Sequence, residues 1–134
     1  MAEQQRKRVL VVDDDEGVRE FVRFLLTQDG LAVETVVDGE EAARRVEEAR
    51  PDLIVLDLML PRYGGFELLR RLQEGPLRSV PVVVVTGRYT DTATAELIRQ
   101  EPNVVELIEK PRMDRLLSPA VARGLALGPR DARA

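Results

Sequence analysis

Five short runs of Val, Ile and Leu recur along the chain, and between each run and the next lies a segment with helical spacing of its apolar residues. The runs are almost continuously apolar, which is typical of strands buried on both faces in a parallel sheet covered by helices on each side. We therefore predict an α/β fold, an open three-layer α/β/α sandwich. The predicted strands are residues 8–13, 31–37, 52–57, 81–86 and 103–109.

The segments between the runs carry helix start and stop signals. Asp15 and Asp38 precede two of them as N-cap candidates, Gly30 follows the first as a C-cap candidate, and Pro51 stops the second. Further helices are predicted within residues 64–76, 91–102 and 113–127. Five strands and five helices therefore alternate.

Length and composition exclude several classes of protein. The 134 residues fit one domain, which we place at 7–127 with tails at 1–6 and 128–134 and no output domain. The chain has no Cys and no His, so thiolate zinc sites, Cys nucleophiles and imidazole bases are excluded. The net charge of −4 gives no basic stripe, and no apolar run forms a signal peptide or a membrane span. We expect a cytoplasmic protein with neither a nucleic acid nor a membrane as partner.

Polar residues lie at the carboxyl ends of the predicted strands. In open α/β sheets, ligands bind at these ends. The polar residues are Asp13, Asp14, Asp57, Thr86 and Lys110. Two carboxylates about 4 Å apart repel each other by about 4 kcal/mol at an effective dielectric constant of about 20, so a cation must offset them. An all-oxygen cluster suits Mg²⁺ better than zinc, and Lys110 adds a second positive charge.

This set of groups can transfer a phosphoryl group to a carboxylate. Asp57 would be the nucleophile, the cation and Lys110 would neutralise the phosphoryl oxygens, and Thr86 would donate a hydrogen bond. Asp15 is the third of three consecutive carboxylates after the first predicted strand. It is predicted to be structural, as the N-cap of the first helix.

Five motifs in order and spacing resemble the receiver domain of two-component response regulators: "VLVVDDDE", "PDLIVLDLMLP", "GGFELLRRL", "VPVVVVTG" and "EKP". The resemblance covers about Arg8 to Leu127. It implies a flavodoxin-like fold with strand order 2-1-3-4-5 and phosphorylation of one Asp by the phosphohistidine of a sensor histidine kinase or a histidine phosphotransferase. It also implies a downstream protein target and a switch instead of an enzyme.

The resemblance assigns roles to residues. Asp57 takes the phosphoacceptor position, Asp14 that of the direct Mg²⁺ ligand, and Asp13 that of an acid holding the metal partly through water. The backbone carbonyl of Met59 takes the third protein ligand position. Thr86 and Lys110 take the hydroxyl and cation positions, and the bond from Lys110 to Pro111 is expected to be cis.

Some residues depart from the family pattern. Leu107 stands where an aromatic residue is common, and "EPN" at 101–103 replaces the usual Gly-Ala pair before the fifth strand. Glu109 and Arg112 stand where apolar residues are common. We therefore expect intact phosphorylation with altered output through the face formed by the fourth helix, fifth strand and fifth helix.

Two alternatives are weighed against this hypothesis. One is a degenerate receiver that acts as a phosphorylation-independent protein-interaction module. The other is a phosphatase of the haloacid dehalogenase type, for which Asp13 and Asp15 would supply the Asp-x-Asp motif. The phosphatase pattern fails at Gly17, where Thr or Val is expected, lacks an acidic pair closing a strand after Lys110, and leaves Asp57 unused.

Overall fold

The computed structural model describes residues 6–60, 64–87 and 91–127. Its five strands form one parallel sheet with the order β2-β1-β3-β4-β5, which confirms the predicted topology. Each strand boundary lies within one residue of its prediction. The strands are β1 (Arg8–Val12), β2 (Ala32–Val36), β3 (Leu53–Asp57), β4 (Val82–Thr86) and β5 (Val104–Glu109).

Five α-helices connect and cover the strands. They are α1 (Glu16–Gln28), α2 (Gly39–Ala49), α3 (Gly65–Gln73), α4 (Thr92–Arg99) and α5 (Met113–Leu127). A single 3₁₀ turn, Lys110–Arg112, leads from β5 into α5. The predicted N-caps are confirmed, because Asp15 accepts a hydrogen bond from the N–H of Val18 at 3.0 Å and Asp38 accepts one from Glu41 at 2.8 Å.

The sheet separates two hydrophobic clusters, as a three-layer sandwich requires. Alternate residues of each central strand point to opposite faces, so Leu10 and Ile54 belong to the cluster under α2, α3 and α4. Val9 and Val55 belong to the cluster under α1 and α5. Strands β3 and β4 are buried along their whole length. This double burial accounts for their continuous apolar sequences.

The "EPN" segment joins the start of β5 to the last turn of α3. Gln73 donates hydrogen bonds to the carboxylate of Glu101 and, at 3.4 Å, to the amide oxygen of Asn103, which is fully buried. Arg70 places its Nε 3.4 Å from Glu101. We name these four residues the α3 latch. They tie the turn after α4 to a helix on the same face of the sheet.

None of the helices in the described ranges combines the length and apolar character that a membrane crossing requires. The predicted tails, residues 1–6 and 128–134, lie outside the described residues except for Arg6.

Candidate functional site

The carboxyl edge of the sheet brings together residues from four strand ends. Asp13 directly follows β1 and Asp57 ends β3, and these strands are neighbours in register up to Val12 and Leu56. Thr86 ends β4, one residue beyond the partner of Asp57. Lys110 directly follows β5. The register of parallel strands therefore places these side chains at one edge.

Three carboxylates form an acidic cluster at this edge. One oxygen from each of Asp13, Asp14 and Asp57 lies within 4.8 Å of the other two. Asp13 is 1% and Asp57 2% exposed, while Asp14 is exposed. The Lys110 Nζ lies 2.9 Å from Oδ2 of Asp13 and 3.5 Å from Oδ2 of Asp57. The predicted convergence of acids and ammonium is therefore present.

Backbone hydrogen bonds orient the two buried carboxylates. Oδ1 of Asp13 accepts from the N–H of Asp15 at 2.9 Å, and Oδ1 of Asp57 accepts from the N–H of Met59 at 3.1 Å. The second oxygen of each carboxylate faces Lys110. Each acid thus has one oxygen held by the chain and one directed toward the centre of the site.

The electrostatics of the site favour an added cation. Burial, the larger cause, and the negative charge of Asp13, the second, together raise the pKa of Asp57 to about 6. The hydrogen bond from Met59 and the charge of Lys110 lower this pKa but do not outweigh them. Burial alone would lower the pKa of Lys110, but its contacts with Asp13 and Asp57 raise it overall. One ammonium therefore does not fully neutralise the buried carboxylates.

The donor set fits a hard divalent cation. Oδ2 of Asp13 is fully buried and has the Lys110 ammonium 2.9 Å away as an ion-pair partner, yet it accepts no well-directed hydrogen bond from the described residues. Asp14 contributes an exposed carboxylate beside it. An oxygen-only group with one side open to water matches the preference of Mg²⁺, which retains several water ligands.

Two further predicted site residues lie beside the cluster. Thr86 is 2% exposed at the end of β4. Met59 is anchored through its N–H to Asp57, and its side chain is 69% exposed. The roles of the Thr86 hydroxyl and the Met59 carbonyl remain predictions.

The expectation of a cis bond between Lys110 and Pro111 is wrong, because the described residues contain no cis peptide. Pro111 lies in the first positions of the 3₁₀ turn that continues into α5. Proline is well suited to that place in its trans form, since its fixed φ matches the start of a helix and no N–H is needed there.

Gly65 makes a close contact that the sequence did not predict. A Cβ on Gly65 would lie 2.6 Å from the carbonyl oxygen of Asp57 and 2.8 Å from the backbone of Leu58. The N–H of Gly65 also donates to the Leu58 carbonyl at 3.2 Å. The start of α3 therefore packs directly on the backbone that carries Asp57. The "GGF" motif is the only sequence signal for this contact.

Comparison with known proteins places this site in a family. The model of the response regulator receiver domain matches residues 9–121. The chain belongs to the response regulator receiver domain family. Its fold is accordingly the flavodoxin-like fold of receivers. The phosphatase alternative loses its Asp-x-Asp motif, because the Asp15 side chain serves as the N-cap of α1.

Two curated relatives are named as regulators. The receiver is 32% identical to transcriptional regulatory protein AfsQ1 of Streptomyces coelicolor over 123 residues, 92% of this chain and 53% of the relative. It is 38% identical to response regulator MprA of Mycobacterium tuberculosis over 104 residues, 78% and 44% of the two chains. The chain spans about half the length of these curated relatives.

A solved structure matches the receiver over nearly its whole length. The Vibrio cholerae chemotaxis protein CheY4 is 27% identical, with a TM-score of 0.80 over 90% of this chain and 99% of that chain. The expectation that nucleic acid is not a partner is unsupported, because AfsQ1 is named as a transcriptional regulatory protein.

Proposed function

We propose that this receiver accepts a phosphoryl group on Asp57 from the phosphohistidine of a sensor histidine kinase or a histidine phosphotransferase. The carrying observation is the cluster of Asp13, Asp14 and Asp57 with the Lys110 ammonium 2.9 and 3.5 Å from its two buried acids. The positive charge of Lys110 beside these acids can offset the negative charge of a transferred phosphoryl group.

The proposed transfer is a displacement at phosphorus. A carboxylate oxygen of Asp57 forms the new O–P bond while the N–P bond of the donor histidine breaks, and the histidine nitrogen keeps the electron pair and takes up a proton. Lys110 stays paired with Asp57 and neutralises a phosphoryl oxygen, and the Thr86 hydroxyl donates a hydrogen bond to another. The result is a switch between two charge states of one carboxylate, so we propose a regulator instead of a turnover enzyme.

Mg²⁺ is the proposed cofactor, held by Asp13, Asp14, Asp57 and the carbonyl of Met59. When bound, it supplies positive charge that offsets the phosphoryl oxygens. The N–H groups of Asp15 and Met59 hold the carboxylates of Asp13 and Asp57, and these carboxylates would position the cation.

Because the donor kinases need ATP, we place the protein in the cytoplasm.

Output is proposed to act on a downstream protein through the face of α4, β5 and α5. Leu97 of α4 and Leu116 of α5 are exposed apolar residues of these helices. Leu107 of β5 packs half-buried against the core, and a leucine has no ring or hydroxyl to exchange between buried and exposed positions. We therefore propose a readout on this face that does not use an aromatic relay.

The test is intact-mass analysis after incubation with acetyl phosphate and Mg²⁺. We expect a single phosphoryl adduct on the wild type, its loss in Asp57→Asn, and its loss when Mg²⁺ is chelated. Asp15→Asn is the matched control, because it removes a neighbouring charge while asparagine still caps α1, and it should be labelled normally.

Other outcomes favour the alternatives. An absence of any adduct together with undetectable Mg²⁺ binding would support the phosphorylation-independent interaction module. Sustained hydrolysis of p-nitrophenyl phosphate would support a phosphatase.

A further inference from the structure

Arg19, in the first turns of α1, reaches back to the loop that carries the acidic cluster. Its Nη1 donates a hydrogen bond to the backbone carbonyl of Asp13 at 2.9 Å, and the side chain is half-buried. The described residues show no ion pair between Arg19 and a carboxylate. The guanidinium is thus committed to a main-chain oxygen beside the site.

We propose that Arg19 is a positioning residue for the Mg²⁺ site, an inference that rests on the proposed function. The carbonyl of Asp13 and the N–H of Asp14 belong to one planar peptide group. Fixing this carbonyl therefore fixes the direction in which the chain enters Asp14. Both acids on either side of the peptide are proposed to hold the metal.

The Asp14 carboxylate depends on this backbone more than its neighbour does. Asp13 is held by its own N–H, which donates to Val36 at 3.2 Å, and by its Oδ1 bond to Asp15. The exposed carboxylate of Asp14 has no hydrogen bond to another residue in the described ranges. Its place beside Asp57 is therefore set by the peptide that Arg19 holds.

The direction in which the loss of Arg19 changes the Mg²⁺ affinity distinguishes a positioning role from a purely electrostatic one. A guanidinium close to a divalent ion repels it, so removing Arg19 would strengthen Mg²⁺ binding if charge were its only influence. Positioning predicts the opposite, since outer partners of metal ligands affect affinity by roughly 10- to 100-fold. We expect Arg19→Met to raise the Mg²⁺ dissociation constant by about tenfold.

Arg23 provides a matched control one turn later on α1. It donates to Thr35 Oγ1 at 3.1 Å and approaches the carbonyl of Val33 at 3.5 Å, away from the acidic cluster. Arg23→Met removes the same charge and a similar hydrogen bond. It should leave the Mg²⁺ dissociation constant within about twofold of wild type, because long-range surface charge is screened by salt.

The measurement is isothermal titration calorimetry with Mg²⁺ at constant ionic strength, with thermal unfolding of each variant to establish that it is folded. Arg19→Lys retains the charge on a side chain without the planar fork, so its binding should be weaker than wild type and tighter than Arg19→Met. This variant also serves if Arg19→Met does not fold.

Failure of this inference differs from failure of the proposed function. If the wild type itself does not bind Mg²⁺, the proposed function fails. If the wild type binds while Arg19→Met and Arg19→Lys bind equally well or more tightly, the positioning role is overturned and the proposed function stands.

Discussion

At the scale of single residues, Gly64 and Gly65 occupy very different surroundings. A Cβ on Gly64 would meet no atom within 4 Å, whereas one on Gly65 would meet three backbone atoms of Asp57 and Leu58 at 2.6 to 2.8 Å. Backbone atoms cannot rotate away as a side chain can. We predict that Gly65→Ala lowers the free energy of unfolding by about 2 kcal/mol or more, because α3 must move away from β3.

Gly64→Ala is the matched control, and its cost should stay below about 1 kcal/mol, since alanine is only a poorer N-cap there. Urea unfolding followed by circular dichroism measures both. Equal stabilities for the two variants would show that the contact between α3 and the Asp57 backbone is not tight.

The candidate site shows what can and cannot be inferred from single residues. Asp13, Asp57 and Lys110 were predictable because each follows an apolar run, and strand ends of a parallel sheet meet at one edge. Gly65 and Arg19 were not, because their contacts are with backbone oxygens brought near only by the fold. Residue type gives no signal for a backbone partner.

At the scale of elements, α2 ends in an unfavourable residue. Arg50, its C-cap, adopts φ 49° and ψ 65°, the left-handed conformation that glycine accepts at little cost. We predict that Arg50→Gly stabilises the protein by about 0.5 to 1 kcal/mol. Exposed Arg44, inside the same helix, is the control, because Arg44→Gly should destabilise by about 1 kcal/mol. Two shifts of the same sign in thermal unfolding would contradict the assignment of this cap.

The α3 latch is a second feature of the elements, and it gives the departure at 101–103 a structural role. The Glu101 side chain is 12% exposed and contacts both Gln73 and Arg70. We predict that Glu101→Ala costs about 1 kcal/mol, because half-buried Gln73 loses its acceptor, whereas exposed Arg70 is solvated by water instead. Glu96→Ala, on the exposed side of α4, should change stability by less than about 0.5 kcal/mol. Chemical denaturation of both variants checks this, and a neutral Glu101→Ala would mean that the latch contributes nothing to stability.

At the scale of the whole molecule, the three-layer architecture followed from the hydrophobic pattern, whereas the strand order was implied by the family resemblance. Continuous runs such as Val82–Val85 are buried on both faces, so sequence alone indicated helices on each side. The Lys110–Pro111 isomer was not predictable in this way. The 3₁₀ turn that accommodates the trans bond arises where β5 joins α5, and this junction has no periodic signal.

The acidic edge also affects the pH dependence of the whole fold. The pKa of Asp57 is about 6 in the folded protein against 3.8 for the ordinary side chain, so the folded state binds a proton that the unfolded state releases between these values. Folded stability in metal-free buffer should therefore fall as pH rises through this window, by up to about 3 kcal/mol from this group. Asp57→Asn keeps the oxygen that accepts from Met59 but cannot ionise.

The difference between wild type and Asp57→Asn isolates this group from acids whose pKa is lowered, such as Glu34 beside Arg45. We predict nearly equal free energies of unfolding at about pH 4 and a more stable variant at about pH 7, measured by urea denaturation with a chelator present. Adding Mg²⁺ at about pH 7 should stabilise the wild type more than the variant, because ligand binding to the folded state adds to its stability. A pH-independent difference would show that the Asp57 carboxylate is already neutralised within the protein, and the need for a bound cation at this edge would disappear.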